Sequence, residues 1–339
     1  SIMPESRTQY DRLTRFRWLL LAALPSSFLV SVTTHLTTDV APVPLLWVIP
    51  LSIYLLTYIV TFAYWPGSAR VLLGRLTPML LAILTVTLAS GATEPITIVA
   101  VIHLVTLASV ALLCHGELAF SRPHDSGLTA FYLMLALGGV LGGAASALLA
   151  PVIFSSIGLA EYPLAIIAVA LVRPTPSGLS TLKLARFEGL YLLGFLLLMG
   201  AMWFVAQFTL TFSESLNSNE ILPARLLRTG LLYGVPAIVA FALVRNPVRF
   251  AICLATIFIA GHYDESLHGN QLFVSRNYFG TLRVTVSPDG RFTRLVHGTT
   301  LHGQERRHFD RLPEPLMYYH RTGPIGRLLD MSATPRPAA

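Results

Sequence analysis

Charge is scarce in this chain. Asp, Glu, Lys and Arg make up 12% of its 339 residues and hydrophobic residues 54%, whereas a soluble domain carries about a quarter charged residues. That shortage excludes an ordinary soluble globular domain, and a mean hydropathy of +0.64 points to an integral membrane protein. Cysteine is nearly absent: Cys114 and Cys253 both lie in apolar runs, which argues against a disulfide framework or a thiolate metal cage. Tight ligand spacings such as HExxH and CxxC are missing as well. The histidines of the last eighty residues (His262, His268, His297, His302, His308 and His320) therefore carry no expectation of a metal. No CxxCH and no histidines paired across spans suggest haem, so no cofactor is expected. The net charge of +7 sits beside apolar runs and in the tail rather than in one basic stripe, which argues for membrane orientation and against nucleic acid.

About 20 apolar residues are needed to cross the hydrocarbon core. Candidate spans are 17–36, 43–64, 76–93, 95–114, 128–150, 160–172, 188–209, 227–244 and 248–261. The sixth and ninth are short, so the expectation is a mostly α, polytopic transmembrane bundle of eight or nine spans. The segment after Arg12, Arg15 and Arg17 lacks a small-residue cleavage site and reads as a span rather than a cleaved signal. Arg7, Arg12, Arg15 and Arg17 mark the N-terminus as cytoplasmic, and Arg70, Arg75, Arg122, Arg173, Lys183, Arg186, Arg245 and Arg249 fall in later inside loops. An exception to the alternation is 213–228, with both acidic residues and Arg225 and Arg228. Nine crossings would leave the tail outside, eight inside.

After Gly261 the pattern changes to period two. In FGTLRVTV, Leu282, Val284 and Val286 alternate with Thr281, Arg283 and Thr285, as in a half-buried strand. SPDG at 287–290 signals a turn and RFTRLVHG the returning strand. The reading is a helical domain over 1–261, a small antiparallel β module over 262–326 and a disordered tail over 327–339.

Gly138, Gly139, Gly142 and Gly143 form two overlapping GxxxG patterns, read as a close helix-packing surface in lipid. Polar residues inside spans are functional suspects: His103 in mid-span, His35 and Asp39 at the exit of the first span, His115 and Glu117 at that of the fourth. Of these, His103, Glu117 and Asp39 supply the polar path for an alternative reading as a small-amine transporter. Against that reading, Pro42, Pro44 and Pro50 break the approach to the second span without a counterpart in the second half.

YFGTLRV, LVHGTTLHGQ and PLMYYHRTGPIG, with PSSFLVSVTTHLTTDVAPVPLLWVIPLSIYLLTY, CHGELAFSRP, FYLMLALGGVLGG and EYPLAIIAVALVRP upstream, resemble bacterial fused membrane (MFS-like)/spermidine-synthase-like proteins. The resemblance covers nearly the whole chain and implies the bacterial inner membrane. In that family a Rossmann-like domain binding decarboxylated S-adenosylmethionine would follow Gly323-Pro324-Ile325-Gly326, but LLDMSATPRPAA holds neither its Gly-rich turn nor its acidic residues. By resemblance, Gln304, Tyr319 and His320 stand near the substrate-facing Gln and Tyr-His, while Arg321 replaces a Glu that would hold a cationic polyamine. The expectation is therefore an accessory or scaffold subunit without catalytic residues of its own, associating with another subunit or a sister copy. The enzymatic alternative is a lid for a split aminopropyltransferase.

Overall fold

The computed structural model of the protein describes residues 11–41, 43–123, 127–175, 178–179, 188–216, 226–264, 270–287, 289–298, 300–307 and 314–333. Each of the nine apolar segments contains a helix. They are α1 (Arg12–His35), α2 (Val48–Ala63), α3 (Gly67–Ala89), α4 (Ile96–Phe120), α5 (Leu128–Ala144) running on into α6 (Ala150–Ile153), α7 (Glu161–Val172), α8 (Glu188–Leu216), α9 (Leu226–Ala242) and α10 (Pro247–His262). Five of these segments (Arg12–Val40, Gly67–Ala89, Ile96–Phe120, Leu128–Ile153 and Gly189–Phe208) are long and apolar enough to cross a membrane, and α2, α7, α9 and α10 are shorter apolar helices of 10–17 residues. One π-turn ends α1 at Leu36–Val40, a second joins α5 to α6 at Ala145–Leu149, and a third interrupts α9 at Gly230–Gly234.

Local chemistry sets several ends. Asn246 caps α10 by accepting from the backbone N–H groups of Val248 and Arg249, with Pro247 in the first turn. Trp18, Phe28, Phe131, Tyr162 and Phe250 are fully buried where helices meet, and Trp18 meets Phe131 edge-on at 5.1 Å. Hydroxyl pairs bridge helices at Ser27–Ser146 and Thr77–Ser109, each 2.7 Å, satisfying polar groups that lipid cannot.

The α1–α5 seam shows how glycine permits close approach. A Cβ on Gly138 or Gly142 would overlap the carbonyl oxygens of Leu19 and Ala23, whereas at Gly139 it would meet nothing within 4 Å and at Gly143 only Ser26 Oγ, at 3.3 Å. One of the two overlapping patterns faces the backbone of α1. The other contributes a carbonyl, since Ser26 donates to the oxygen of Gly139 at 2.8 Å.

A short hairpin pairs β1 (Pro174–Thr175) with β2 (Gly178–Leu179). Beyond the helices comes an antiparallel meander in chain order: β3 (Asn270–Asn277), β4 (Gly280–Val286), β5 (Phe292–His297), β6 (Thr300–Arg306) and β7 (Glu314–Leu316). The β4–β5 turn is the one the SPDG signal marks: Gly290 takes φ +69° and donates to the carbonyl of Ser287 at 2.8 Å. Two expectations need correction. The tail from 327, read as unstructured, continues helix α11 (Pro324–Ala333); residues 334–339 lie outside the described residues. In β4 the expectation is that the apolar face is the buried one, but Thr281 and Thr285 are 8% and 7% exposed and Leu282 37%; of the apolar face only Val286, at the strand's end, is buried, at 7%. The threonine face covers much of the buried surface because it includes the polar groups that dock the sheet on the bundle.

That docking has specific contacts. The backbone N–H of Arg276 donates to Ser155 and its guanidinium to the carbonyl of Gly158, both at 2.8 Å. The same guanidinium makes two 2.5 Å bonds to Glu161. Gly298, at φ +58°, lies so close to the carbonyl of Thr38 that a Cβ would overlap it. The sheet therefore sits on the end of the bundle where α1 finishes. Arg17, at the start of α1, is 22 residues from Asp39, or about 33 Å along a helix. The helix α10 ends at that same sheet-bearing level, its Gly261 packed on the backbone of Ala89 at the end of α3.

Candidate functional site

Two polar clusters lie at opposite ends of α4, and between them they hold all five of the polar residues singled out within the spans. Toward the sheet, the π-turn after α1 brings Asp39 back under His35, whose Nδ1 lies 3.2 Å from the Asp39 carboxylate. The His35 ring stacks on His103 at 4.7 Å between centroids and 27° between planes, and His103 Nδ1 lies 2.8 Å from the Tyr162 hydroxyl. His103 and Tyr162 are fully buried. Asp39, His35, His103 and Tyr162 thus form a continuous polar chain inside an apolar bundle. Next to Tyr162, Glu161 carries the ion pair to Arg276, both side chains almost fully buried at 7% and 4% exposure. Such a pair is costly to desolvate and destabilising to break, so it fixes the sheet directly above the histidines.

The second cluster lies toward the other end of α4. Glu117, fully buried, accepts from Arg17 at 3.0 Å and from two nitrogens of Arg70, Nη2 at 3.0 Å and Nε closer still. Two residues before it, His115 Nδ1 meets Thr57 Oγ1 at 2.8 Å and its ring stacks on Tyr58 at 3.5 Å. The Trp65 indole packs against Gly116, where any Cβ would collide with it. The outer nitrogens of both buried histidines, His103 Nε2 and His115 Nε2, have no hydrogen-bond partner among the described residues.

The substrate-facing trio implied by the resemblance is distributed differently. Gln304 pairs with Arg294 and Leu316 in the sheet. Its neighbour Gly303 is 3.7 Å from the Tyr319 ring, and because side chains alternate along a strand, Gln304 leaves the opposite face from Tyr319. His320 bonds to Thr322 Oγ1 at 2.8 Å. The His297 and His302 rings are 5.8 Å apart; His268 and His308 lie outside the described residues. No group of three or more His, Cys, Asp or Glu side chains suited to a metal occurs among the described residues.

Sequence reasoning missed Tyr162, the Glu161–Arg276 pair and the two arginines on Glu117. An available signal was EYP at 161–163, an acid and a phenol at the head of an apolar segment, where neither is cheap.

These features define a class: a helical bundle with helices of membrane-crossing length, two buried polar clusters and an antiparallel sheet seated on one end. Comparison with protein-family models, curated proteins and solved structures finds no match to this chain.

Proposed function

We propose that this chain is a multi-pass membrane protein that acts by association, its sheet presenting one face to a partner protein. The observation that carries this reading is the outward face of the sheet. Phe273 is 59% exposed and Tyr319 52%, with Leu282 and Leu295 also open, on the side away from Glu161 and Gly158. Apolar side chains held by a sheet docked through its polar face are the arrangement expected of a protein-binding surface. In this reading the bundle crosses the membrane nine times with the arginine-bearing loops cytoplasmic, so that the sheet lies on the other side of the bilayer. The partner is another subunit, of the synthase-like kind suggested by the sequence resemblance, or a second copy. Gentle extraction followed by size measurement tests it: the native chain is expected in a complex that Leu295→Asp dissociates without unfolding the monomer. A monomer with no companion at any detergent concentration overturns the reading.

A second reading, transport of a small amine, draws support from the chain Asp39–His35–His103–Tyr162 within the spans. Uptake into liposomes that is unchanged in His103→Ala would remove it. The lid role for Gln304 and Tyr319 requires both on one face, and its test is product formation from decarboxylated S-adenosylmethionine and putrescine only when a partner is added.

A further inference from the structure

Among the described residues, the end of the bundle remote from the sheet has more cation than its carboxylates use. Glu117 accepts from both Arg17 and Arg70, so one carboxylate faces two guanidiniums and one positive charge is left over. Arg122, two residues beyond the end of α4, adds another. Its guanidinium lies 5.9 Å from the Tyr132 ring centroid, and no carboxylate among the described residues pairs with it. Between the last turns of α2 and α4, Arg122 lines a pocket of about 240 Å³ together with Thr61, Phe62, Trp65 and Phe120. Arg70 stacks on the Phe120 ring at 5.0 Å while donating Nε and Nη2 to Glu117, which turns its third nitrogen, Nη1, away from the ion pair. The walls are aromatic, and the exposed rings of Tyr64 and Phe120 (74% and 69%) stand at its edge.

This combination has one chemical complement. An occupant must bring acceptor oxygens for Arg122 and negative charge to answer the excess cation beside it, and it must tolerate an aromatic wall at the level where a membrane interface places such rings. Basic pockets between helix ends are suited to phosphate-bearing head groups. We infer that this pocket binds the phosphate group of an anion, its oxygens on Arg122 and its charge further favoured by Arg70 behind the Phe120 ring, with any attached hydrocarbon running along Phe62 and Phe120. The same chemistry could be supplied by an anionic phospholipid or by a soluble phosphate, and the inference is independent of whether the sheet holds a partner.

The test uses the full chain in neutral detergent, with phosphatidylglycerol, phosphatidylcholine and inorganic phosphate as probes, read by retained ligand in native mass spectrometry and by the thermal unfolding midpoint. Phosphatidylglycerol should be retained and raise the midpoint, and phosphatidylcholine should do neither. Arg122→Gln, an exposed position, should fold normally and bind phosphatidylglycerol about fivefold more weakly, the effect of one interfacial arginine; Arg75→Gln, exposed on the same end but outside the pocket, should bind as the native chain does. Inorganic phosphate matching phosphatidylglycerol in both readouts, with the same Arg122 dependence, would support the oxyanion site and assign it to a soluble ligand. Equal binding of phosphatidylcholine, unchanged binding in Arg122→Gln, or an equal loss in Arg75→Gln would overturn the inference.

Discussion

Gly142 and Gly139 lie in the same helix and meet different surroundings. Gly142 has the carbonyl of Ala23 where a side chain would go, and Gly139 has open space. Gly142→Ala must push α1 and α5 apart, with an expected loss of about 1–3 kcal/mol, whereas Gly139→Ala should stay within about 0.5 kcal/mol of the native chain; thermal unfolding in detergent measures both. The Glu161–Arg276 pair allows a sharper test. Glu161→Gln strands a buried guanidinium, so a loss of about 3–5 kcal/mol is expected, read as faster proteolytic release of the sheet. Adding Arg276→Met should recover part of it, since removing both charges removes the desolvation cost. At this scale His35, Asp39, His103, His115 and Glu117 were legible as costly polar residues in apolar runs. Their partners were not, because Tyr162 is 59 residues from His103 and Arg17 is 100 from Glu117, and only packing brings them together.

At the scale of elements, the hairpin between β4 and β5 has its own titration. Ser287 donates to the Asp289 carboxylate at 2.5 Å and the Arg291 backbone N–H at 3.1 Å, and the Ser287 bond, first, then the Arg291 amide hold that carboxyl below its ordinary value. A depressed folded value means that the ionised form stabilises the turn. The contribution is complete above about pH 4 and is lost as pH falls through the folded value. Protection of the Arg291 and Phe292 amides should therefore drop on acidification from about pH 5 to about pH 3, and Asp289→Asn should abolish that dependence; a drop that persists in the variant would refute the assignment. The turn was readable because Pro, Asp and Gly at 288–290 are local signals. Nine helices were readable for the same reason, being apolar runs. The buried face of β4 was not, since alternation gives two faces and says nothing about which meets a neighbour. The neighbour here is a polar bundle end, so Thr281 and Thr285 turn inward while Leu282 stays open.

For the whole molecule, parity is the quantity that matters. The helix α10 is 16 residues long, about 24 Å, and it runs from the level of the arginine-bearing loops to that of Ala89, where the sheet begins. With nine crossings, a label on the sheet and one on the α2–α3 loop must be reached from opposite sides. Cys114 and Cys253 are buried, so single cysteines introduced at Arg291 and Ser68, both exposed, can be read with an impermeant thiol reagent against little background. In intact cells Arg291→Cys should react and Ser68→Cys should not; equal labelling contradicts nine crossings, and the reverse contradicts a cytoplasmic N-terminus.

Composition and periodicity alone determined that this chain is a set of apolar helices followed by a strand module, because hydrophobic runs, proline and glycine act over a few residues and carry their meaning locally. Tertiary structure decided the rest: that His35 stacks on His103, that Glu117 holds two arginines, that the sheet sits at the His35 end of the bundle by its polar face. Each of those depends on side chains dozens of residues apart, and what joins them is the cost of an unpaired charge or hydroxyl in an apolar interior, which is satisfied only once the helices are packed.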